Sequence, residues 1–379
     1  MDKYSEKKFY ATHAAVAMGS ATLGTFITYP LDISKVILQV GSVSGKQITL
    51  YQAIRRVFMP SGMSGLYSGF GWANTGRILS LGSRFGVYEI VTAYMNDGLE
   101  DTYLSTHEAI LAGMIAGAVE GIIGSPFDLF KVRTQISAFS RIPKQKLTTQ
   151  SGPFSPLIDK LLRGYAPDMK ALNHSAGLLS TLPSSHPNLV GALRKYPWMI
   201  TGSSGSPPVS HVRLPSAVFS LEGWPTLWRG LRSGMFRDSI FGGVFFGCWQ
   251  FIHQAMLDYK AVGMDPVPIH NKDVDPLSPL GVSLAAGFSG SVAAAASHFL
   301  DTSQTRSLCS VIPKYLKMEK KMLKCQVPGT YWERLAGIHP DDKHVSSRGL
   351  WLRMARSGIA SYAAVGSYYV GMRLLGTSL

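Results

Sequence analysis

Long runs without charge, each ending at a charged or motif-bearing helix end, set the pattern of this chain. Residues 9–31 contain no Asp, Glu, Lys or Arg, residues 276–300 contain none, and 357–372 is a shorter run of the same kind. A helix needs roughly 20 residues to cross a hydrocarbon core of about 30 Å, so these runs predict membrane helices. They are rich in Gly, Ala, Ser and Thr rather than in Leu and Ile. That composition lets helices approach closely in lipid, where packing rather than the hydrophobic effect holds them together. Buried helices of a large soluble protein are the competing reading.

A repeat organises the runs. Tyr29-Pro30-Leu31-Asp32-Ile33-Ser34-Lys35 ends the first, with Gln39 four residues on. Ser125-Pro126-Phe127-Asp128-Leu129-Phe130-Lys131 matches it, with Gln135 four residues on, and His298-Phe299-Leu300-Asp301-Thr302-Ser303-Gln304 is an eroded third copy. A second motif follows each at a distance: Ser61-Gly62 with Leu66-Tyr67-Ser68-Gly69, Glu222-Gly223 with Leu227-Trp228-Arg229-Gly230, and Gly349-Leu350-Trp351-Leu352-Arg353. The first motif closes a small-residue helix and the second opens another. Six spans in three pairs are predicted: 9–38 with 69–96, 107–135 with 230–259, and 278–307 with 350–375. Ala17, Ala21 and Gly24, then Gly113 and Gly117, then Ala286 and Gly290 space small residues along the first helix of each pair.

The repeats occupy 1–105, 106–262 and 275–379. The second holds an insertion at about 137–221, rich in Ser, Pro and Gly, which reads as largely disordered, with short helices around 156–163 and 188–195. The third holds a smaller insertion at about 311–345, whose basic run 317–324 suits a membrane surface.

Composition sharpens this picture. Of 379 residues, 46% are hydrophobic and 16% charged, against roughly 25% charged in soluble domains. The net charge is +14, and Lys and Arg outnumber Asp and Glu within 137–222. A basic balance suits anionic solutes or an anionic membrane, and no nucleic-acid-binding motif accompanies it. Cys248, Cys309 and Cys325 are scattered and imply neither a disulfide framework nor a metal site. Residues 1–8 are short and mixed in charge, unlike a cleavable signal, so the first run reads as a retained span. Enzyme motifs are missing: Gly69-Phe70-Gly71 opens a membrane helix instead of following a strand, the His residues lack H-E-x-x-H spacing, and no G-x-S-x-G occurs.

The pattern P-x-[DE]-x-x-[KR] followed by an aromatic-basic-Gly motif, three times in order, is similar to the mitochondrial carrier family over nearly the whole chain outside the insertion. The resemblance implies an all-α membrane protein with six transmembrane helices in three pseudo-threefold repeats around a central cavity. Carried over by position, it implies a matrix gate in which Asp32 faces Lys131, Asp301 faces Lys35, and Asp128 faces Gln304. The last is a carboxylate–amide contact in place of an ion pair. Gln39 and Gln135 match the bracing glutamines, and Leu308 at the third position cannot brace. Partly wet ion pairs contribute roughly 0–1 kcal/mol each, so the binding energy of a solute can open such a gate. The family's outer-gate pattern survives in part. Tyr88-Glu89 has Thr92 in place of the base, Trp249-Gln250 is followed by His253, and Arg373 stands where an acid is expected. Glu89 with His253 is the remaining outer pair.

Charges inside a span point to function. Arg237 and Asp238 follow Gly230 at a place that is a substrate contact in the family. An Arg followed by an acid resembles its amino-acid-transporting members more than the nucleotide or keto-acid ones. Arg237 suits a carboxylate and Asp238 an ammonium group. Gly76, Arg77 and Arg84 are the second-helix candidates, and Glu120 faces inward. On the sixth helix the matching position reads as Ala360, which makes the site less cationic than a nucleotide carrier's. The implied protein is a monomeric, multi-pass transporter of the mitochondrial inner membrane. It moves a small carboxylate-bearing metabolite, an amino acid by preference, by alternating access, with bound cardiolipin, no cofactor, no metal and no nucleic acid. The alternative is a transport-inactive carrier-like scaffold or receptor, favoured by the eroded third repeat, the uncharged Ala360 and the long insertion. A further one is the same fold in a peroxisomal or other organelle membrane.

Overall fold

The computed structural model describes residues 3–40, 42–43, 46–47, 49–95, 105–139, 209, 212–264, 277–314 and 329–375. The expectations placed on disorder and short helices within 140–208, and on the basic run 317–324, lie outside those residues.

The chain is mostly helical. Helix α1 (Lys3–Val40) leads through a two-residue antiparallel ladder, Ser42–Val43 with Lys46–Gln47, to α2 (Leu50–Leu66) and α3 (Phe70–Met95). Then come α4 (Thr106–Phe139), α5 (Pro215–Leu221), a 3-10 turn (Trp224–Trp228) and α6 (Leu231–Val262). The last third holds α7 (Pro279–Ala296), α8 (His298–Cys309), α9 (Tyr331–Ala336), a 3-10 turn (Pro340–Val345) and α10 (Leu350–Leu374). Part of each predicted insertion is therefore ordered helix. Val218 and Leu221 of α5 are buried with Leu129, Val132, Ile136 and Leu308, tying the end of α4 to α8.

Local chemistry sets the helix ends. Thr49 and Gln52 form a capping box at α2, as Thr330 and Glu333 do at α9, each satisfying amides that have no partner within the helix. Contact with Lys343, and then the Thr330 N–H, hold the Glu333 carboxyl below its ordinary range. Gly69, Gly230 and Gly349 precede α3, α6 and α10 with φ of +86°, +76° and +78°, a region other residues enter at a steric cost.

The long helices close a ring. α1 packs on α3 and α10, α3 on α4, α4 on α6, α6 on α7, and α7 on α10. Small residues make the seams. A Cβ added at Gly117 would lie 2.0 Å from the Asp238 carbonyl oxygen, and one at Gly242 would lie 2.1 Å from that of Gly113. The α4 and α6 backbones are thus in direct contact, the close approach that small residues permit in membranes. Among the described residues, four helical stretches are long and apolar enough to cross a membrane: Ala11–Val40, Thr106–Phe139, Trp224–Val262 and Pro279–Ala296. α3 and α10 are not among them: α3 carries Arg77, Arg84 and Glu89, and the uncharged run 357–372 of α10 is rich in Ser, Gly and Tyr.

A proline inside a helix removes a backbone hydrogen bond and favours a kink. α1 and α4 run continuously through Pro30 and Pro126. The helix break falls instead in the third repeat, at Ser297, where proline is missing and Phe299 takes its place. Pro30 has no N–H for the Phe26 carbonyl, and that oxygen accepts from the Tyr67 hydroxyl at 3.4 Å.

Candidate solute cavity and the charged ring that closes it

The ends of α1, α4 and α8 converge at one end of the helix ring and bring the repeated motif together. Lys131 Nζ lies 2.7 Å from Asp32 Oδ2, and Gln135 donates to the same oxygen at 3.0 Å. Lys35 Nζ lies 2.8 Å from Asp301 Oδ2, where Gln39 also donates at 2.8 Å. Gln304 donates to Asp128 at 3.5 Å, a long contact, and Leu308 is packed in the apolar cluster beside it. The three corners therefore differ in strength. Asp32, Lys35 and Asp301 are buried, whereas the Asp128 side chain is 28% exposed. The pairs are drier than the partly wet contacts expected from sequence. Burial strengthens their attraction and raises their desolvation cost together.

Above this ring lies a cavity whose free space, mouth included, is about 1040 Å³. Lys35, Lys131, Arg77, Arg84, Arg237, Arg353 and Arg356 line it, against Asp32, Glu120, Asp128, Asp238 and Asp301. Asp32, Glu120, Asp238 and Asp301 each have a close basic partner, whereas Arg237 reaches Asp128 only at 3.5 Å. Arg84 sits on Glu120, with its guanidinium carbon 4.8 Å from the centre of the Phe241 ring. Arg237 grips Asp238 with two nitrogens, at 2.8 and 2.9 Å. Arg77, Arg353 and Arg356 are left as second partners, at 3.9 Å from Glu120, 3.9 Å from Asp301 and 3.3 Å from Asp32. Among the lining side chains positive charge is in excess.

Arg353 and Arg356 correct the sequence reading of the sixth helix. Gly349, with positive φ before α10, occupies the place of Gly69 and Gly230. Ser347-Arg348-Gly349 is thus the counterpart of Trp228-Arg229-Gly230, and the motif ends on Gly349 rather than beginning there. Counting seven residues on from each glycine gives Gly76, Arg237 and Arg356. Ala360 is four residues out of register, and the site is more cationic than expected. The Arg348-Gly349 dipeptide, matching Arg229-Gly230, was the available signal.

The other candidates fall as follows. Gly76 lines the cavity, but a Cβ there would lie 2.6 Å from that of Phe127, so it contributes close packing and no functional group. Arg77 lines the cavity as well. Among the described residues no hydrogen bond or ion pair joins Glu89 to His253; His253 stacks on Trp249 with ring centres 5.9 Å apart. The end opposite the charged ring is not shut by that pair.

Sequence reading missed a second ionic layer. Arg133 and Glu222, neither with exposed side-chain surface, meet at 2.6 Å, and Arg229 reaches Glu222 at 2.7 Å. Arg306 meets Asp342 at 2.9 Å. Arg133 and Arg306 each lie five residues beyond the motif aspartate, where the first repeat has Ile37.

Motif-bearing helices thus ring a polar, basic cavity. The sequence model for mitochondrial carrier protein matches residues 6–99 and 103–162, and over those residues the chain is similar to the mitochondrial carrier family. It is 34% identical over 139 residues to mitochondrial brown fat uncoupling protein 1 of Bos taurus, covering 34% of this chain and 44% of that protein. It is 37% identical over 122 residues to the Rattus norvegicus protein of that name, covering 31% and 39%. It is 25% identical over 186 residues to the mitochondrial adenyl nucleotide antiporter SLC25A24 of Homo sapiens, covering 47% and 38%. The chain thus spans less than half the length of these relatives.

Proposed function

We propose that this protein is a solute transporter of the mitochondrial inner membrane, multi-pass and monomeric, with cardiolipin as its lipid partner. In this reading α1, α3, α4, α6, α7 with α8, and α10 are six spans in three pseudo-threefold repeats, 1–105, 106–262 and 275–379. Arg77, Arg84, Arg353 and Arg356 are tolerable in a span because they line a polar cavity, while Ile90 and Val370 stay outwardly exposed. The ring of Asp32, Lys35, Asp128, Lys131, Asp301 and Gln304 is the matrix gate, Gln39 and Gln135 brace it, and Glu89 and His253 belong to the outer end. Solute enters the open end and the two ends open alternately.

The observation that carries the reading is the closed ring beneath a cavity with surplus guanidinium groups. That surplus supports a small carboxylate-bearing metabolite as the solute. The preference for an amino acid loses its support, because both Asp238 oxygens are engaged by Arg237 and an ammonium group would have to displace it. With Ala360 out of register, one argument for a transport-inactive scaffold is removed; the eroded third repeat and the insertion remain.

The test is uptake into liposomes holding the purified protein, with labelled carboxylates, amino acids and adenine nucleotides as probes. A small carboxylate is expected to be carried, and Arg356→Gln to slow it by at least ~10-fold, the loss of one charge-assisted contact. A transported ligand at 100 times its dissociation constant also stabilises the protein by about 2.7 kcal/mol. Uptake of nucleotides alone would move the solute class to phosphates. No uptake and no thermal shift across the panel would establish the scaffold reading.

A further inference from the structure

We propose that Arg237, on α6, is the third base of the matrix gate, replacing the charge that position 304 lacks; this rests on the gate reading above. Two corners of the gate have a lysine from the motif itself, Lys131 on Asp32 and Lys35 on Asp301. The third has the neutral Gln304 at 3.5 Å from Asp128 and, with Leu308, no brace. Arg353 and Arg356 add charge beside Asp301 and Asp32, so Asp128 is the motif carboxylate without a base from the motif or from α10, and leaving it unpaired would weaken that corner. Arg237 occupies that gap. One of its terminal nitrogens lies 3.5 Å from Asp128 Oδ2 and the other 3.5 Å from Asp301 Oδ1. It bridges the weak corner to a strong one.

Its aim is fixed by its own helix. Asp238 holds the guanidinium edge with two hydrogen bonds, and the Asp238 backbone is locked against Gly117, where a Cβ would meet its carbonyl at 2.0 Å. Asp238 is thus a positioning residue. The planar fork of an arginine suits this role; it can satisfy one carboxylate bidentately and present its remaining N–H groups to two others. Because Arg237 also lines the cavity, an anionic solute that draws on this guanidinium draws on the gate's third charge. Solute binding and loosening of the Asp128 corner then become one event.

The test restores the missing charge where the repeat calls for it. In a chain free of native cysteines and carrying Ser80→Cys in the cavity, a membrane-impermeant maleimide is applied from the gate side of reconstituted vesicles. Arg237→Gln is expected to raise the labelling rate about tenfold. Adding Gln304→Lys is expected to bring it back to within about twofold of the parent, and that rescue is expected to vanish in an Asp128→Asn background. Rescue by Gln304→Met equal to that by Gln304→Lys, or no rescue by Gln304→Lys, overturns the assignment. Labelling needs no transport, so a failed uptake assay leaves this result standing. Unchanged labelling in Lys35→Ala with Lys131→Ala would instead sink the gate reading itself.

Discussion

Arg133 and Glu222 form an ion pair with no solvent contact, supplemented by Arg229, by the Ile312 N–H at 2.6 Å, and by donation from Arg133 to the Leu308 and Val212 carbonyls at 3.3 Å. Removing one member strands the other in a dry site, which costs about 3–5 kcal/mol, whereas replacing both with apolar groups is often neutral. The molecule already contains the apolar solution: Ile37 takes the corresponding place in the first repeat and packs with Ala53, Val57 and Leu66. Glu222→Gln is therefore expected to lower stability by roughly 3 kcal/mol or more, and Arg133→Met with Glu222→Leu to recover at least about half of that loss. Thermal unfolding of the purified protein measures both, and equal losses in the single and double variants would contradict the argument. Single residues were legible in the sequence where a motif repeats the same chemistry. Asp32, Lys131, Lys35 and Asp301 could be paired on paper because two copies are intact. Arg353 and Arg356 could not, because the third motif has lost its aromatic residue and its register depends on which glycine takes positive φ. Arg133 and Glu222 were invisible as a pair because the first repeat carries no copy of it, Ile37 standing where Arg133 does.

At the level of the helices, the break at Ser297 has a defined chemistry. The Ser297 hydroxyl donates to the Ala293 carbonyl at 2.9 Å and accepts from Arg353 at 2.7 Å. Ser297→Ala is expected to cost about 1–3 kcal/mol, the loss of a buried acceptor for a charged donor; an unchanged unfolding midpoint would show that Arg353 finds another partner. Phe299 stands where the other repeats have proline. It is the second residue of α8, so its N–H belongs to the first turn and has no partner within the helix. Proline is accepted at such positions, and Phe299→Pro is expected to cost well under the ~3 kcal/mol of a proline in a helix interior. A loss as large as that would mean α7 and α8 form one hydrogen-bonded helix. The helices themselves were legible because long uncharged runs and small-residue spacing state them directly, and the ends agree to within a few residues apart from the N-terminal extension of α1. The location of the break was not legible, since proline in the sequence marks a potential kink and the satisfied Phe26 carbonyl shows how α1 avoids a break.

Across the whole molecule, the ring is closed by contact between the first long helix and the last. The His13 ring nitrogen Nδ1 lies 2.7 Å from the Tyr368 hydroxyl, and Gly24 lies against the Ala360 carbonyl. Sequence alone predicts such closure only through the threefold motif, because α1 and α10 share no pattern that names them as neighbours. A cross-link tests it without reference to transport. A Cβ at Gly24 would lie 3.6 Å from that of Ala364, within the roughly 3.5–4.5 Å span of disulfide geometry. It would also sit 2.9 Å from the Ala360 oxygen, so the seam must relax by a few tenths of an ångström, a smaller demand than separating two helices. In a chain free of native cysteines, Gly24→Cys with Ala364→Cys is expected to oxidise within the monomer. With a protease site placed between α4 and α5, cleavage then leaves two fragments that run together until reductant is added. Fragments that separate without reductant, under conditions where the seam cysteines are accessible to oxidant, would mean that α1 and α10 are not neighbours, and the cavity enclosed by the ring would lose its sixth wall.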